Sequence, residues 1–259
     1  MFKAKITAFL AIIAIISALF ASCTIRKIDK DEEHSDKMTT KDIDAKDFNK
    51  IQVVGSADVE FTQDSTYRVS LDGDEETLSK VEVTVSNGTL VIKNKTKKVG
   101  INNNRDYKVY VSAPELIGID IKGAGKFEAD SIATKSFDAE INGAGKVKIE
   151  HLTCENCSSV VNGKITGAGQ IELEDVTANA VNIKVTGAGQ IDIEENNVEK
   201  SVFSVSGAGQ IEGEFNNCGS LEGNVAGVGN MKLKGNVKFF KSSSTGVGNF
   251  NTSKLKVGE

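Results

Sequence analysis

Acidic side chains recur through the middle of the chain as pairs separated by one residue. The pairs are Glu172 with Glu174, Asp192 with Glu194, and Glu212 with Glu214. Together with Ca²⁺ and a basic residue, such carboxylates could serve an enzyme that cleaves polysaccharides. Grooves that cleave sugars usually have aromatic platforms, but this chain has no Trp and three Tyr. We therefore expect a solvated acidic face and no catalytic residues, with weak cation binding as the alternative.

A second set of polar residues flanks the repeated tripeptide Gly-Ala-Gly. Its members are Thr166 and Gln170, Thr186 and Gln190, and Ser206 and Gln210. Stacked amides and hydroxyls can hydrogen-bond from one repeat to the next. If strand faces alternate through the glycines, the alanines face outward and these six candidate binding residues border a flat, weakly polar contact surface. In the alternative, which we favour, the alanines fill corners from inside and the ladders only stabilise the repeat.

Cysteine and histidine offer a weaker case for chemistry. His151 precedes Cys154 and Cys157, but a closed zinc site needs a fourth ligand, and the only other histidine is His34 in a charged segment. We expect no metal and no cofactor. A local disulfide between Cys154 and Cys157 stays open, with Cys218 as a small buried apolar group. We find no serine, histidine and acid set that we would regard as catalytic.

The N-terminus has the pattern of a lipoprotein signal peptide. Lys3 and Lys5 precede an uncharged apolar run over residues 6–21, too short for a spanning helix, and small residues stand directly before Cys23. We predict a signal peptide over residues 1–22 and lipid attachment at Cys23, so that the membrane is a partner through the lipid. The alternative is an ordinary secretion signal with an incidental cysteine.

Residues 23–46 read as a lipidated, flexible tether, because they are highly charged and show no apolar period. The run over residues 30–33 resembles the acidic export signals of Bacteroidetes lipoproteins, although it lies further from Cys23 than is usual; the alternative is an ordinary solvated charge run. We expect an outer-membrane lipoprotein exposed on the cell surface. The net charge of −5 gives no attraction to nucleic acid.

An internal repeat must position these residues. Gly-x-Gly occurs seven times, beginning at Gly123, Gly143, Gly167, Gly187, Gly207, Gly227 and Gly246. Four residues after each first glycine stands Phe, Val, Ile or Met, which predicts one wall of a core. Glycine turns of this kind could join antiparallel hairpins, but none shows the usual Asn-Gly or Asp-Gly chemistry. We favour a single-stranded, right-handed parallel β-helix with coils of about 20 residues.

Strand patterns continue ahead of the repeat. Alternating segments are predicted at residues 50–54, 59–62, 67–71, 81–86, 89–93 and 107–111. Asn87-Gly88 between two of them predicts a tight turn. We expect this section to form irregular early coils that cover one end of the stack, and we assign residues 47–259 to one all-β domain.

The cysteine after its signal sequence, the segment Val54-Gly55-Ser56 and the recurring Gly-Ala-Gly coils together resemble the putative auto-transporter adhesin, head GIN domain family of Bacteroidetes lipoproteins. The resemblance implies a β-helix with a surface-associated, non-enzymatic role, and it carries over no catalytic residues. The expected function is a lipid-anchored, adhesin-like binding module for an extracellular glycan or protein. Two alternatives remain: a polysaccharide-active enzyme that uses the acidic face, and a structural envelope component that associates end to end. The oligomeric state stays open.

Overall fold

The computed structural model describes residues 38–95, 107–154 and 158–258. The predicted signal peptide, Cys23 and most of the predicted tether lie outside this part of the chain. Residues 36–259 form one compact unit. Strands make up 76% of the described residues, and there is one short helix.

The elements follow one another as strands with one short helix. The strands are β1 (Met38–Ile43), β2 (Lys50–Gly55), β3 (Asp58–Gln63), β4 (Arg68–Asp74), β5 (Val81–Ser86), β6 (Thr89–Asn94), β7 (Lys108–Ala113), β8 (Gly118–Gly123), β9 (Lys126–Thr134), β10 (Phe137–Gly143), β11 (Lys146–Cys154), β12 (Val160–Gly167), β13 (Gln170–Thr177), β14 (Ala180–Gly187), β15 (Gln190–Asn196), β16 (Lys200–Gly207), β17 (Gln210–Gly227), β18 (Asn230–Gly246) and β19 (Asn249–Val257). The helix α1 (Glu75–Ser79) lies between β4 and β5. All six strands predicted before the repeat are present.

The coils stack in register, which confirms the all-β solenoid of about seven turns. One ladder, here called ladder A, runs through β8, β10, β12, β14 and β16 into the second halves of β17 and β18, with parallel pairing throughout. Ladder B runs through β9, β11, β13 and β15 into the first halves of β17 and β18 and ends at β19. Ile171, Ile191 and Ile211 are direct neighbours in ladder B, so residues twenty apart in sequence touch in space.

Each Gly-x-Gly forms the corner between the two ladders, and both glycines are required. Gly187 has φ of +115°, a conformation that side chains disfavour. A Cβ at Gly189 would lie 2.6 Å from Ile165 Cγ2 and 2.9 Å from the carbonyl oxygen of Gly169. The amides of Ala188 and Gln190 donate to carbonyls one coil earlier, at 2.9 and 3.0 Å. The corner therefore stacks backbone on backbone.

The core lies between the two ladders. Strand residues alternate between buried apolar and outward polar side chains, as in β14, where Val181, Ile183 and Val185 are buried and Asn182 and Lys184 are exposed. The largest buried side chains of this core are phenylalanines, among them Phe203 and Phe215, whose ring centroids are 5.7 Å apart. The predicted apolar columns thus form a continuous core.

The N-terminal section closes its end of the stack with antiparallel strands. In ladder A, β6 pairs with β2 in parallel, and the β5–β6 hairpin turns at Asn87 and Gly88, both with positive φ. In ladder B, β7 joins β3, and β4 and β1 follow in antiparallel pairing. The predicted end of the tether at residue 46 is therefore wrong, since residues 38–43 form β1. The sequence did not reveal this strand, because an edge strand is held by backbone pairing and needs no apolar period. The domain begins before residue 47.

Three of the coils use asparagine or aspartate at their second corner. Asp175, Asn197 and Asn217 have φ between +45° and +55°, a region that their short polar side chains tolerate. Asn217 donates to Asn197 at 2.8 Å, and Asn216 donates to Asn196 at 3.0 Å. The extra residues of the 24-residue coil fall at this corner, between β11 and β12.

Candidate functional site

A polar surface strip runs along the Gly-x-Gly corner. We define the strip as Thr166, Ala168, Gln170, Thr186, Ala188, Gln190, Ser206, Ala208 and Gln210. All three alanines are exposed, so our preference for inward-facing alanines was wrong. The reason is steric: the second glycine of each corner lies against the core and the carbonyl of the previous coil, which leaves space for a methyl group only on the outside. The strip is therefore a surface, and its contact role stays a prediction.

The glutamines of the strip do not bond from coil to coil as we expected. Each one donates to the acid two residues further along its own strand: Gln170 to Glu172 at 2.7 Å, Gln190 to Asp192 at 2.9 Å, and Gln210 to Glu212 at 2.7 Å. These bonds fix the half-buried amides in one orientation. The coil-to-coil amide bonds occur elsewhere, for example from Asn182 to Asn162 at 3.0 Å.

The other components of the strip are a methyl column and a hydroxyl column. The methyl column begins at exposed Ala124 and Ala144 and continues past the strip to Val228 and Val247, which are 56% and 80% exposed. The hydroxyls of Thr166, Thr186 and Ser206 make no side-chain hydrogen bond to another described residue. At about 4.8 Å between coils, the strip offers hydroxyl, methyl and fixed amide groups in repeating rows. Such a surface can bind a ligand through many weak contacts.

The acidic pairs lie beside the strip on the outer face of ladder B and form a shallow groove of about 370 Å³. Lysines of the two adjoining coils form ion pairs with acids of the first and last pair. Lys146 lies 3.0 Å from Glu172, Lys232 lies 2.7 Å from Glu212, and Lys234 lies 2.5 Å from Glu214. The glutamine bonds and these ion pairs offset the repulsion between stacked acids. The groove contains no aromatic side chain.

The fold assembles one constellation that the sequence hid. His151 Nδ1 lies 2.9 Å from Asp175 Oδ2, and Ser131 is the register partner of His151 in the preceding coil. Ser131 and Asp175 lie 20 and 24 residues from His151 in the sequence, so the three residues are neighbours only because the coils stack. The His151 and Asp175 side chains are 60% and 53% exposed, and no hydrogen bond joins Ser131 to His151. Water screens the pair, and Ser131 has no hydrogen-bonded base, so the arrangement is a surface contact between coils.

Cys154 and Cys218 are buried free thiols, and Cys157 lies outside the described residues. Burial raises the pKa of both thiols to about 11, so they stay protonated and unreactive at neutral pH. Within the described residues, no three His, Cys, Asp or Glu side chains gather as a metal site. Nor does the described part contain a helix long and apolar enough to cross a membrane.

Glu195 is the buried acid that sequence analysis missed. It occupies an inward position in ladder B where the neighbouring coils place Val176 and Phe215, and it is fully buried. Ser201 donates to its Oε2 at 2.5 Å, and no hydrogen bond to Oε1 is found in the described part of the chain. Burial raises the pKa of Glu195 to about 8, so the side chain is a neutral acid in the core at pH 7. Glu195 was not singled out from the sequence, because Glu194 and Glu195 together have the pattern of an exposed acidic run.

Three solved structures are similar to this chain over most of its length. A putative adhesin from Bacteroides fragilis NCTC 9343 is 28% identical, with a TM-score of 0.74 over 86% of this chain and 98% of its own. A putative lipid binding protein from Parabacteroides distasonis ATCC 8503 is 25% identical, with a TM-score of 0.64 over 83% and 96%. A putative adhesin from the same organism shares the fold at 20% identity, with a TM-score of 0.68 over 85% and 97%. No curated protein matches the chain significantly.

Residues 47–212, well over half of the chain, match a single protein family. The matched range takes in the N-terminal section and all the coils that carry the strip, and it ends within β17. The chain belongs to the putative auto-transporter adhesin, head GIN domain family.

Proposed function

We propose that the protein is a lipid-anchored, non-enzymatic binding module of the cell envelope, exposed on the outer membrane, and that the strip is its contact surface. The observation that carries this proposal is the outward orientation of Ala168, Ala188 and Ala208. Because these methyl groups face water between rows of hydroxyls and amides, the strip is flat and continuous over three coils. The family membership supports an adhesin-like role at the cell surface.

A repeating surface suits a repeating or extended ligand. A glycan or an extended polypeptide could contact equivalent groups on successive coils, so that affinity accumulates from weak contacts. The anchored glutamines and stiff threonines lose little conformational freedom when they bind, which reduces the entropic cost of association. Anchorage at Cys23 would hold the module at a membrane surface.

The test is a binding screen of the soluble chain from residue 24 against an array of glycans and a panel of extracellular host proteins. Each ligand found is retested with the double variant Thr186→Lys and Gln190→Lys. Both columns already contain lysine, at Lys122 and Lys126, so the fold accepts these changes. We expect at least a roughly tenfold loss of affinity, equivalent to about 1.4 kcal/mol.

The matched control adds two lysines on the outer face of ladder A, away from the strip, through Asn182→Lys and Ser204→Lys. It carries the same change in charge and should bind as the wild-type protein does. Ligands that bind both variants with unchanged affinity would contradict the strip as contact surface, and the absence of any ligand would remove support for a binding module.

A further inference from the structure

A groove of about 360 Å³ lies on the outer face of ladder A near the N-terminal section. It runs over β8, between β2 and β10, and includes no residue of the strip or of the acidic groove on ladder B. Its lining is polar and charged and contains no aromatic side chain. A concave surface on which a few polar groups converge is the usual form of a small-molecule site.

The groove exists because Gly118 leaves a gap in a row of outward side chains. Lys50 is the register partner of Gly118 on β2, and Asp138 follows on the other side, on β10. With neighbouring strands about 4.8 Å apart, the backbones of Lys50 and Asp138 are about 10 Å from each other across the gap. A Cβ at Gly118 would lie 2.9 Å from the carbonyl oxygen of Asp138. The close pairing of β8 with β10 therefore keeps the gap free of a side chain.

The two sides of the gap carry opposite charges that do not pair with each other. Lys50 is exposed, and its ammonium group forms no hydrogen bond or ion pair with another described residue. Asp138 is also exposed, and its Oδ1 accepts a hydrogen bond from Asn162 at 2.7 Å. Within the described part of the chain, Asp138 forms no ion pair. One cation and one carboxylate at the gap are therefore available to a ligand.

The other charges of the groove are balanced within the protein. Lys164 donates to Glu140 Oε1 at 2.7 Å, which holds the pKa of Glu140 below its ordinary value. Gln52 and Lys122 lie 2.7 and 3.2 Å from Asp120 Oδ2. Asp120 Oδ1 is buried, and no hydrogen bond to it is found among the described residues. The carboxylate of Asp120 is therefore only partly satisfied and favours a positive group nearby.

We propose that this groove binds a small zwitterion, an α-amino acid, with the carboxylate of the ligand on Lys50 and its ammonium group on Asp138. The groove and its border hold three carboxylates and three lysines, so a ligand with a net charge gains little from them. A zwitterion can form a charge-assisted hydrogen bond at each side of the gap. A sugar fits less well, because the groove offers its ring no aromatic platform. This site does not depend on the strip.

Nuclear magnetic resonance titration of the ¹⁵N-labelled soluble chain from residue 24 tests this proposal. The probes are glycine, alanine, serine, valine, proline, lysine and glutamate, each added to about 20 mM. We expect at least one of them to shift the amide signals of Gly118 and its strand neighbours, with a Kd of about 1–10 mM, because both charged contacts are exposed to water. If none of the probes shifts these signals, the proposal is wrong.

Two variants remove the charges at the gap and keep the size of the side chains. Lys50→Gln and Asp138→Asn should each weaken binding about tenfold. Both positions are exposed, and asparagine at 138 can still accept the hydrogen bond from Asn162, so the fold should tolerate the changes. The controls Lys200→Gln and Asp130→Asn make the same changes at exposed positions outside the groove and should bind as the wild-type protein does. Unchanged affinity in both groove variants would overturn the proposal.

Derivatives of the bound amino acid that lack one charge test the recognition itself. The N-acetyl derivative has no ammonium group and the amide has no carboxylate, so each should bind about tenfold more weakly. Undiminished binding of either derivative, or equal binding of glucose at the same amides, would contradict a zwitterion site. The strip variant Thr186→Lys with Gln190→Lys should bind the amino acid as the wild-type protein does, so failure of this site and failure of the strip can be told apart.

Discussion

Replacing Glu195 by glutamine should make the protein more stable at pH 8 than the wild type. In the native state Glu195 is fully buried and keeps its proton up to about pH 8, whereas the ordinary pKa of the side chain is 4.5. Glutamine is neutral at every pH, has almost the same shape, and its carbonyl oxygen can still accept the hydrogen bond from Ser201. The variant therefore removes the ionisation and little else.

The magnitude follows from proton linkage. Between pH 4.5 and about 8, the unfolded chain has lost the proton of Glu195 and the native state has kept it. The free energy of unfolding therefore falls as pH rises, by about 1.4 kcal/mol per pH unit, and this contribution is fully present only below pH 4.5. Over the whole window the loss is roughly 4–5 kcal/mol. Glu195→Gln should not show it.

The assay is urea denaturation of both proteins at a series of pH values from 4 to 9. We expect the two to agree within about 1 kcal/mol near pH 4 and to diverge steadily above pH 5, with the variant more stable. Glu194→Gln is the matched control, since Glu194 is the exposed neighbour and its outward carboxylate has no such burial. A difference between Glu195→Gln and wild type that is independent of pH would refute the assignment of Glu195 as a neutral buried acid.

Three further predictions follow from the corners and the N-terminus. Gly189→Ala should lower the free energy of unfolding by about 2–3 kcal/mol, because the new Cβ would collide with Ile165. Ala188→Val, at an exposed position, should change the free energy of unfolding by no more than about 0.5 kcal/mol. Equal effects of the two variants in urea denaturation would argue against the corner geometry. Asn197→Ala should cost about 1 kcal/mol and Asn197→Gly less, because φ at this position is +55°; thermal unfolding would reveal a reversed order. Cys23→Ser should abolish labelling by an alkyne fatty acid in cells, and persistent labelling would contradict anchorage at this residue.

The coil architecture could be predicted from sequence because the same residue types recur at the same positions of successive coils. Gly187 and Gly189 fix a corner that no other residue tolerates, and apolar residues such as Ile171 and Ile191 recur on one strand face. The Asn87-Gly88 turn could be predicted for the same reason, since its positive φ values demand those residue types. These are local constraints, so local sequence reveals them.

The errors concern side-chain contacts and strand pairings that an alternating apolar pattern does not reveal. The orientation of Ala188 is decided by the carbonyl of Gly169 beneath the adjacent glycine, and the partner of Gln190 is decided by the position of Asp192 on the same strand. Similarly, β1 is stabilised by pairing with β4, thirty residues away in sequence, and its own residues carry no strand signal. Glu195 was missed for a different reason: it continues the inward alternation of Ile191 and Ile193, but a carboxylate beside Glu194 is typical of an exposed position.

Every column described above requires that successive coils lie in register, and pulsed electron spin resonance on pairs of spin labels tests this most directly. Labels are attached to cysteines introduced by Ala124→Cys with Val247→Cys, and by Ala144→Cys with Val247→Cys, in a chain whose native cysteines are replaced. The stacked corners predict separations of about 29 Å and about 24 Å, six and five coil spacings of about 4.8 Å. Distances that do not shorten by about one coil spacing between the two pairs would contradict the account.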